Sequence, residues 1–320
     1  MAGHDEPRGV VEVREEVRPP WPFRLGGASM DGLVRRRGAA LQRLMRIGGD
    51  AVLVAIVQPA PDRVLFAARA ATEPAADEGI ARMRFATSVD DDLRPFWDRF
   101  RDDPVIGRGV RTNRALRVRR QPHPWETLLA AITEQLIELE RAKAIQRRLI
   151  AAFGYRCPRT GMRDAPTPAA IAAQAPARLV AFDLAPKRAL AMRRCAEAVA
   201  AGRLDVHDHD PRRLRAIREI GPWTCEMVAL HGQGRYDVVP ASDLGFLKIV
   251  GRLVTGNPRA RADEAEARGF LERYGEWKGL AGVHLMHAAA RGLIPARLSP
   301  GRAPRPAGTR WSAAPVRRAA

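Results

Sequence analysis

With 320 residues, 46% of them apolar, the chain is long enough to bury the cores of two or three domains, which excludes global disorder. Its three cysteines, Cys157, Cys195 and Cys225, form no C-x-x-C pair, which argues against a disulfide framework and falls short of a four-cysteine iron–sulfur shell. The net charge of +18 points to a polyanionic partner.

The distribution of that charge is more informative than its total. Residues 1–104 carry 16 arginines against 17 acids, whereas residues 105–320 carry 38 lysines and arginines against 19 acids. The excess therefore belongs to the C-terminal two thirds. A GC-rich genome would favour arginine over lysine throughout, but it explains this asymmetry less well. The longest apolar run, Ala51 to Val57, is too short to span a bilayer, and Met1 to Pro20 has no signal-peptide character. A soluble cytoplasmic protein with no membrane contact is expected.

In chain order, residues 1–20 read as a flexible tail and residues 21–89 as a small β-rich domain. Strands are expected at Ala51 to Val57, Arg63 to Ala67 and Arg82 to Ala86, with a helix possible near Ala39 to Met45. From residue 90 to 298 the texture is helical, beginning with Asp91 to Asp102. One long helix is expected from Trp125 to Phe153, then helices at Pro168 to Ala175, Leu190 to Ala201, Pro211 to Arg218, Pro222 to Leu230, Leu244 to Val254, Ala262 to Tyr274 and Gly279 to Arg291. Residues 299–320 hold five arginines and no acid and read as a basic flexible tail, solvated or following a DNA backbone. The fold class expected is α+β.

Two features carry chemistry. Around Glu219-Ile220-Gly221-Pro222, Gly221 is free to take positive φ and Pro222 is suited to open a helix, so two short helices meet in a tight hairpin. Its outward N–H groups and helix dipole suit a phosphate oxygen, although an ordinary αα-hairpin has the same spacing. Further on, Val239-Pro240-Ala241-Ser242-Asp243-Leu244-Gly245 sets an acid directly before an apolar helix. Asp243 is either the helix N-cap or, if Ser242 caps instead, a free carboxylate. His207 and His209 sit in an Asp-rich loop that is a metal site or a solvated turn; no metal site is predicted from them.

Ile220-Gly221-Pro222-Trp223-Thr224, followed by Pro240-x-x-Asp243-Leu244-Gly245, resembles the signature of the helix-hairpin-helix base-excision DNA glycosylases, and most of all the 3-methyladenine DNA glycosylase II (AlkA-type) branch. Pro124-Trp125-Glu126, Ala131 to Leu136, Phe153-Gly154 and Tyr274 to Lys278 extend the resemblance over about residues 90–295.

The resemblance implies a mainly α-helical glycosylase domain behind the β-rich one. The activity would be monofunctional hydrolysis of the N-glycosidic bond of alkylated purines in damaged double-stranded DNA, by a monomer without cofactor. Asp243 would be the catalytic carboxylate. Ile220, Gly221, Pro222 and Thr224 would form the DNA-binding hairpin. Trp223, Met227, Met286 and Gln135 would form the base pocket, and Leu136 the wedge, unless Leu136 is one more core leucine. Trp223 stands where strand-cleaving relatives place a Schiff-base lysine. Glu219 departs from the pattern, which has glycine there, and Met227 and Met286 replace aromatic residues. A deaminated or oxidised base as target, or a hairpin that binds DNA without catalysis, are the competing readings.

Overall fold

The computed structural model describes residues 10–298. Five antiparallel strands form one sheet in the order β1-β5-β4-β3-β2, with β1 at Val11–Val17, β2 at Val34–Arg37, β3 at Ala40–Ile47, β4 at Asp50–Ala60 and β5 at Arg63–Ala70. Ile47 pairs with Asp50 across a two-residue turn in which Gly48 (φ 58°) and Gly49 (φ 96°) both occupy the left-handed region, the geometry that matches the twist of a hairpin. Helix α1 (Glu73–Thr87) covers one face of the sheet. It approaches so closely that a Cβ on Gly79 would lie 2.6 Å from Val52 Cγ1.

The helical part follows as α2 (Arg94–Phe100), α3 (Gly107–Thr112), α4 (Pro124–Glu134), α5 (Leu139–Phe153), α6 (Pro168–Ala172), α7 (Pro176–Val180), α8 (Pro186–Ala200), α9 (Arg212–Arg215), α10 (Pro222–Met227), α11 (Leu244–Thr255), α12 (Glu264–Leu271) and α13 (Lys278–Ala290). A π-helical turn, Val228–Gly232, prolongs α10. Two apolar cores fill this part. Leu128, Ile132 and Leu149 from α4 and α5 pack with Met192 of α8 and with Val228 in one. Phe96, Val250, Phe270 and Leu285 from α2, α11, α12 and α13 pack in the other. No helix among the described residues is long and apolar enough to cross a membrane.

Several expectations fail for identifiable reasons. Residues 11–17 are not a tail: Val11, Val13 and Val17 lie on one face of β1, where Glu15 pairs with Arg84 of α1, and Glu12 on the opposite face pairs with Arg69 of β5. The segment near Ala39 to Met45 is strand β3, and Arg82 to Ala86 lies inside helix α1, because the sheet supplies the apolar surface that local periodicity left ambiguous. The single helix from Trp125 to Phe153 is two helices, broken at Gln135 to Glu138. The segment Pro211 to Arg218 holds only the single turn α9. Residues 1–9 of the expected N-terminal tail, and the whole basic tail from residue 299, lie outside the described residues.

A buried ion cluster joins the sheet to the helices. Arg43 on β3, 1% exposed, donates from Nη2 to Glu126 Oε2 of α4 and to Asp164 Oδ1, both at 2.9 Å, and Asp164 Oδ2 accepts the Arg46 amide at 2.7 Å. Burial raises the Glu126 carboxyl above the usual carboxylate range, partly offset by the adjacent guanidinium. Removing the arginine would leave two carboxylates facing each other without a counter-charge. Arg43→Ala is therefore expected to lose about 3–5 kcal/mol of stability, read by urea unfolding. Arg37→Ala, on the exposed end of β2, should stay within about 0.5 kcal/mol.

Candidate active site

The hairpin turn lies between α9 and α10. Ile220 is buried in the core beneath it and its amide donates to Ile217 O at 3.1 Å. The left-handed residue of the turn is Glu219 (φ 74°); Gly221 is extended (φ −95°, ψ 178°). Glycine at 221 is thus not required by torsion, contrary to expectation. Packing does not require it either, since a Cβ there would meet nothing within 4 Å. Gly221 sits at the N-cap of α10 with no side chain to cap the first turn, and Pro222 beside it is exposed. Thr224 is buried and faces inward, so among the four hairpin residues only Gly221 and Pro222 present side-chain positions outward.

What Thr224 does is visible across the gap to α4. Gln135 Nε2 donates to Thr224 Oγ1 at 2.9 Å and to the Glu219 carbonyl at 3.3 Å. Gln135 ties the α4–α5 turn to the hairpin. The turn is braced from below: Lys143 Nζ donates to Glu134 Oε1 at 2.7 Å and to Gln146 Oε1 at 2.9 Å, and Gln146 Nε2 donates to Thr133 Oγ1 at 2.6 Å. Leu136 follows at φ 54° and is 100% exposed. The core-leucine alternative is thereby excluded, because this side chain touches no core at all.

Asp243 is the N-cap of α11, so Ser242 does not relieve it of that role. Its Oδ1 accepts the Gly245 amide at 2.8 Å, and its Oδ2 accepts the Trp223 indole Nε1–H at 3.3 Å. Met286 of α13 lies over the same turn: a Cβ on Gly245 would be 2.4 Å from its methyl and 3.1 Å from Asp243 Oδ1. Gly245 is the site residue that sequence reasoning missed. Its motif was visible, but the Met286 side chain that crowds this position comes from α13, far along the chain. Met227 lies one helical turn beyond Trp223 on α10, on the same face.

Asp243, Trp223, Gly245 and Met286 are therefore brought together, with the hairpin one helix end away. Burial pushes the Cys225 thiol, on the same helix as Trp223, up to about 11, so it stays protonated near neutral pH and is no nucleophile. A cavity of about 380 Å³ opens behind α10, lined by Leu214, Cys225, Glu226 and Arg268 among others; neither Asp243 nor Trp223 borders it. His207 packs edge-on against His123 with ring centroids 4.9 Å apart.

No family model matches the chain. It is 27% identical over 291 residues to the "Probable bifunctional transcriptional activator/DNA repair enzyme AlkA" of Mycobacterium tuberculosis, an alignment covering 87% of this chain and 57% of that protein. It is also 27% identical over 199 residues to the DNA-3-methyladenine glycosylase of Bacillus subtilis, covering 59% of this chain and 64% of the relative. The chain thus spans somewhat more than half the length of the curated relatives it matches.

Among solved structures, the 3-methyladenine DNA glycosylase of Archaeoglobus fulgidus superposes with a TM-score of 0.72 at 18% identity, covering 88% of this chain and 100% of that one. MBOgg1, in complex with a low-affinity DNA ligand, gives 0.71 at 19% identity over 87% and 96%. The chain is a homologue of proteins named AlkA and DNA-3-methyladenine glycosylase, and its fold is that of the helix-hairpin-helix DNA glycosylases.

Proposed function

We propose that this protein is a monofunctional DNA glycosylase that hydrolyses the N-glycosidic bond of alkylated purines of the 3-methyladenine type in damaged duplex DNA, acting as a monomer at the nucleoid. The observation that carries the reading is the fixed carboxylate of Asp243 at a helix N-terminus, one hydrogen bond from the hairpin helix. We divide the chain, on the same reading, into a β-rich unit running to about residue 89 and a helical glycosylase unit from about 90 to 298.

A glycosidic bond is shielded inside the base stack, so the nucleotide must be rotated out and its place filled. Leu136, held outward on a clamped turn, has the position and chemistry of the filling wedge. Breaking the bond leaves positive charge on the sugar. A carboxylate that cannot swing away stabilises that charge and orients the attacking water. Trp223 has no amine with which to form a Schiff base, so water is the nucleophile. The thioether of Met286 over the carboxylate turn gives the lesion a polarizable, adaptable neighbour.

Incubated with methylated duplex, wild type should release 3-methyladenine-type bases and leave abasic sites, and Asp243→Asn should be slower by about 100-fold or more. Release of deaminated or oxidised bases in preference would favour the other lesion class. Borohydride should trap no covalent adduct. Leu136→Gly relieves a left-handed φ and should keep or raise the melting temperature, yet excision should fall, because the wedge is gone. A matched pair tests the hairpin by titration with undamaged duplex. Gly221→Ala should leave stability unchanged or up by about 0.4–1 kcal/mol while weakening binding, since its added methyl points only at whatever approaches from outside. Glu219→Gly should bind more tightly, with a gain that shrinks as salt is raised.

A further inference from the structure

Resting on the reading above, we propose that Trp223 is a positioning residue for Asp243: its indole N–H fixes the carboxylate, and this role outweighs any service of its ring as a stacking wall.

The two oxygens of Asp243 are held by donors from different places. Oδ1 takes the Gly245 amide of its own helix at 2.8 Å; Oδ2 takes the Trp223 indole at 3.3 Å. The final torsion of an aspartate is soft and roughly two-fold, so a cap bond alone leaves the carboxylate free to rock. A second donor on the other oxygen closes that freedom. The two donors also belong to elements rooted in different cores, since α10 continues into Val228 of one and α11 carries Phe246 of the other. The bond therefore spans the seam between them and holds the carboxylate at a fixed place relative to the hairpin.

The chemistry of the donor fits the task. Indole is a neutral group that donates and never accepts. A lysine or arginine at this position would pair with Asp243 and offset the negative charge that faces the developing positive sugar. Indole restrains the carboxylate without neutralising it. A single indole N–H also leaves the second lone pair of Oδ2 open to water. With the nitrogen edge of the ring committed to the carboxylate, the orientation of the whole side chain is set by Asp243 and not by a stacked base.

The test separates edge from face. Position 223 is replaced by phenylalanine (Trp223→Phe) and, separately, by β-(3-benzothienyl)alanine, which keeps a two-ring face of nearly the same shape but carries sulfur where indole has N–H. Single-turnover release from methylated duplex, duplex affinity and melting temperature are measured for each. Both variants should lose roughly tenfold or more in the single-turnover rate, with affinity within about twofold and melting unchanged. In an Asp243→Ala background the same replacements should cost nothing further, because the group they position is absent. A benzothienyl protein that keeps the wild-type rate while phenylalanine loses it would overturn the proposal and make Trp223 a wall. An undiminished loss in the Asp243→Ala background would overturn it as well. A wild type that releases no base would overturn instead the function on which the inference rests.

Discussion

The carboxylate of Asp243 ends a helix, and the rest of the site depends on that constraint. A capping side chain is not free to choose its rotamer: the amide it accepts from fixes one oxygen to the backbone, and the helix axis then fixes the direction of the group. The cap also places the charge at the positive end of the α11 dipole, where a carboxylate is stabilised without a cationic partner. The cap and the catalytic reading were competing roles in the sequence. In the structure the cap occupies one oxygen, and the other faces Trp223. Gly245 lies in the same turn, against the Met286 methyl, and a side chain added there would have to displace that flexible thioether.

Strain gathers on the opposite side of the hairpin. Four non-glycine residues among those described take positive φ, and two of them, Leu136 and Glu219, meet at the amide of Gln135. Leu136 follows Gln135 in the chain, and the Glu219 carbonyl accepts from its side chain. Each left-handed residue costs about 1–2 kcal/mol. Neither conformation is repaid by burial, since Leu136 is wholly exposed and Glu219 is a surface residue. Strain without local compensation persists only where surrounding contacts enforce it, and here the Thr224–Gln135 bond and the Lys143–Glu134–Gln146–Thr133 network do so.

How much of this was legible in the sequence depends on range. The hairpin, the Asp243 loop and most helices are local patterns, and their positions follow from Pro, Gly and apolar spacing. What failed was decided by partners far along the chain. Strand β1 could not be distinguished from a tail because its stability comes from pairing with β5, which begins 46 residues after β1 ends. Helical periodicity runs straight through the break at Gln135, where the side chain bonds to Thr224, 89 positions away, and to the Glu219 carbonyl. The positive φ expected at Gly221 falls at Glu219 for a similar reason. Composition marks glycine as the permissive residue, but the clamp on the Glu219 carbonyl decides which residue must bend.

The site sits where the two helical cores abut, and this gives the anchor at Arg43 a meaning beyond stability. Helix α4 carries Gln135 and Leu136 at its C-terminal end, while its N-terminal turn is pinned to the sheet by the Arg43–Glu126 pair. A helix held at one end by a buried ion pair and at the other by an amide clamp resists both sliding and rotation. Leu136 and the hairpin are thereby tied, through α4, to the sheet behind them. Asp243 belongs to the other core and reaches the hairpin through the Trp223 bond, the one side-chain hydrogen bond described here between Asp243 and the hairpin helix. The placement of the Asp243 carboxylate relative to the hairpin therefore rests on a seam between two cores. Packing in either core that shifts α10 against α11 by a fraction of an ångström acts directly on the distance between carboxylate and indole.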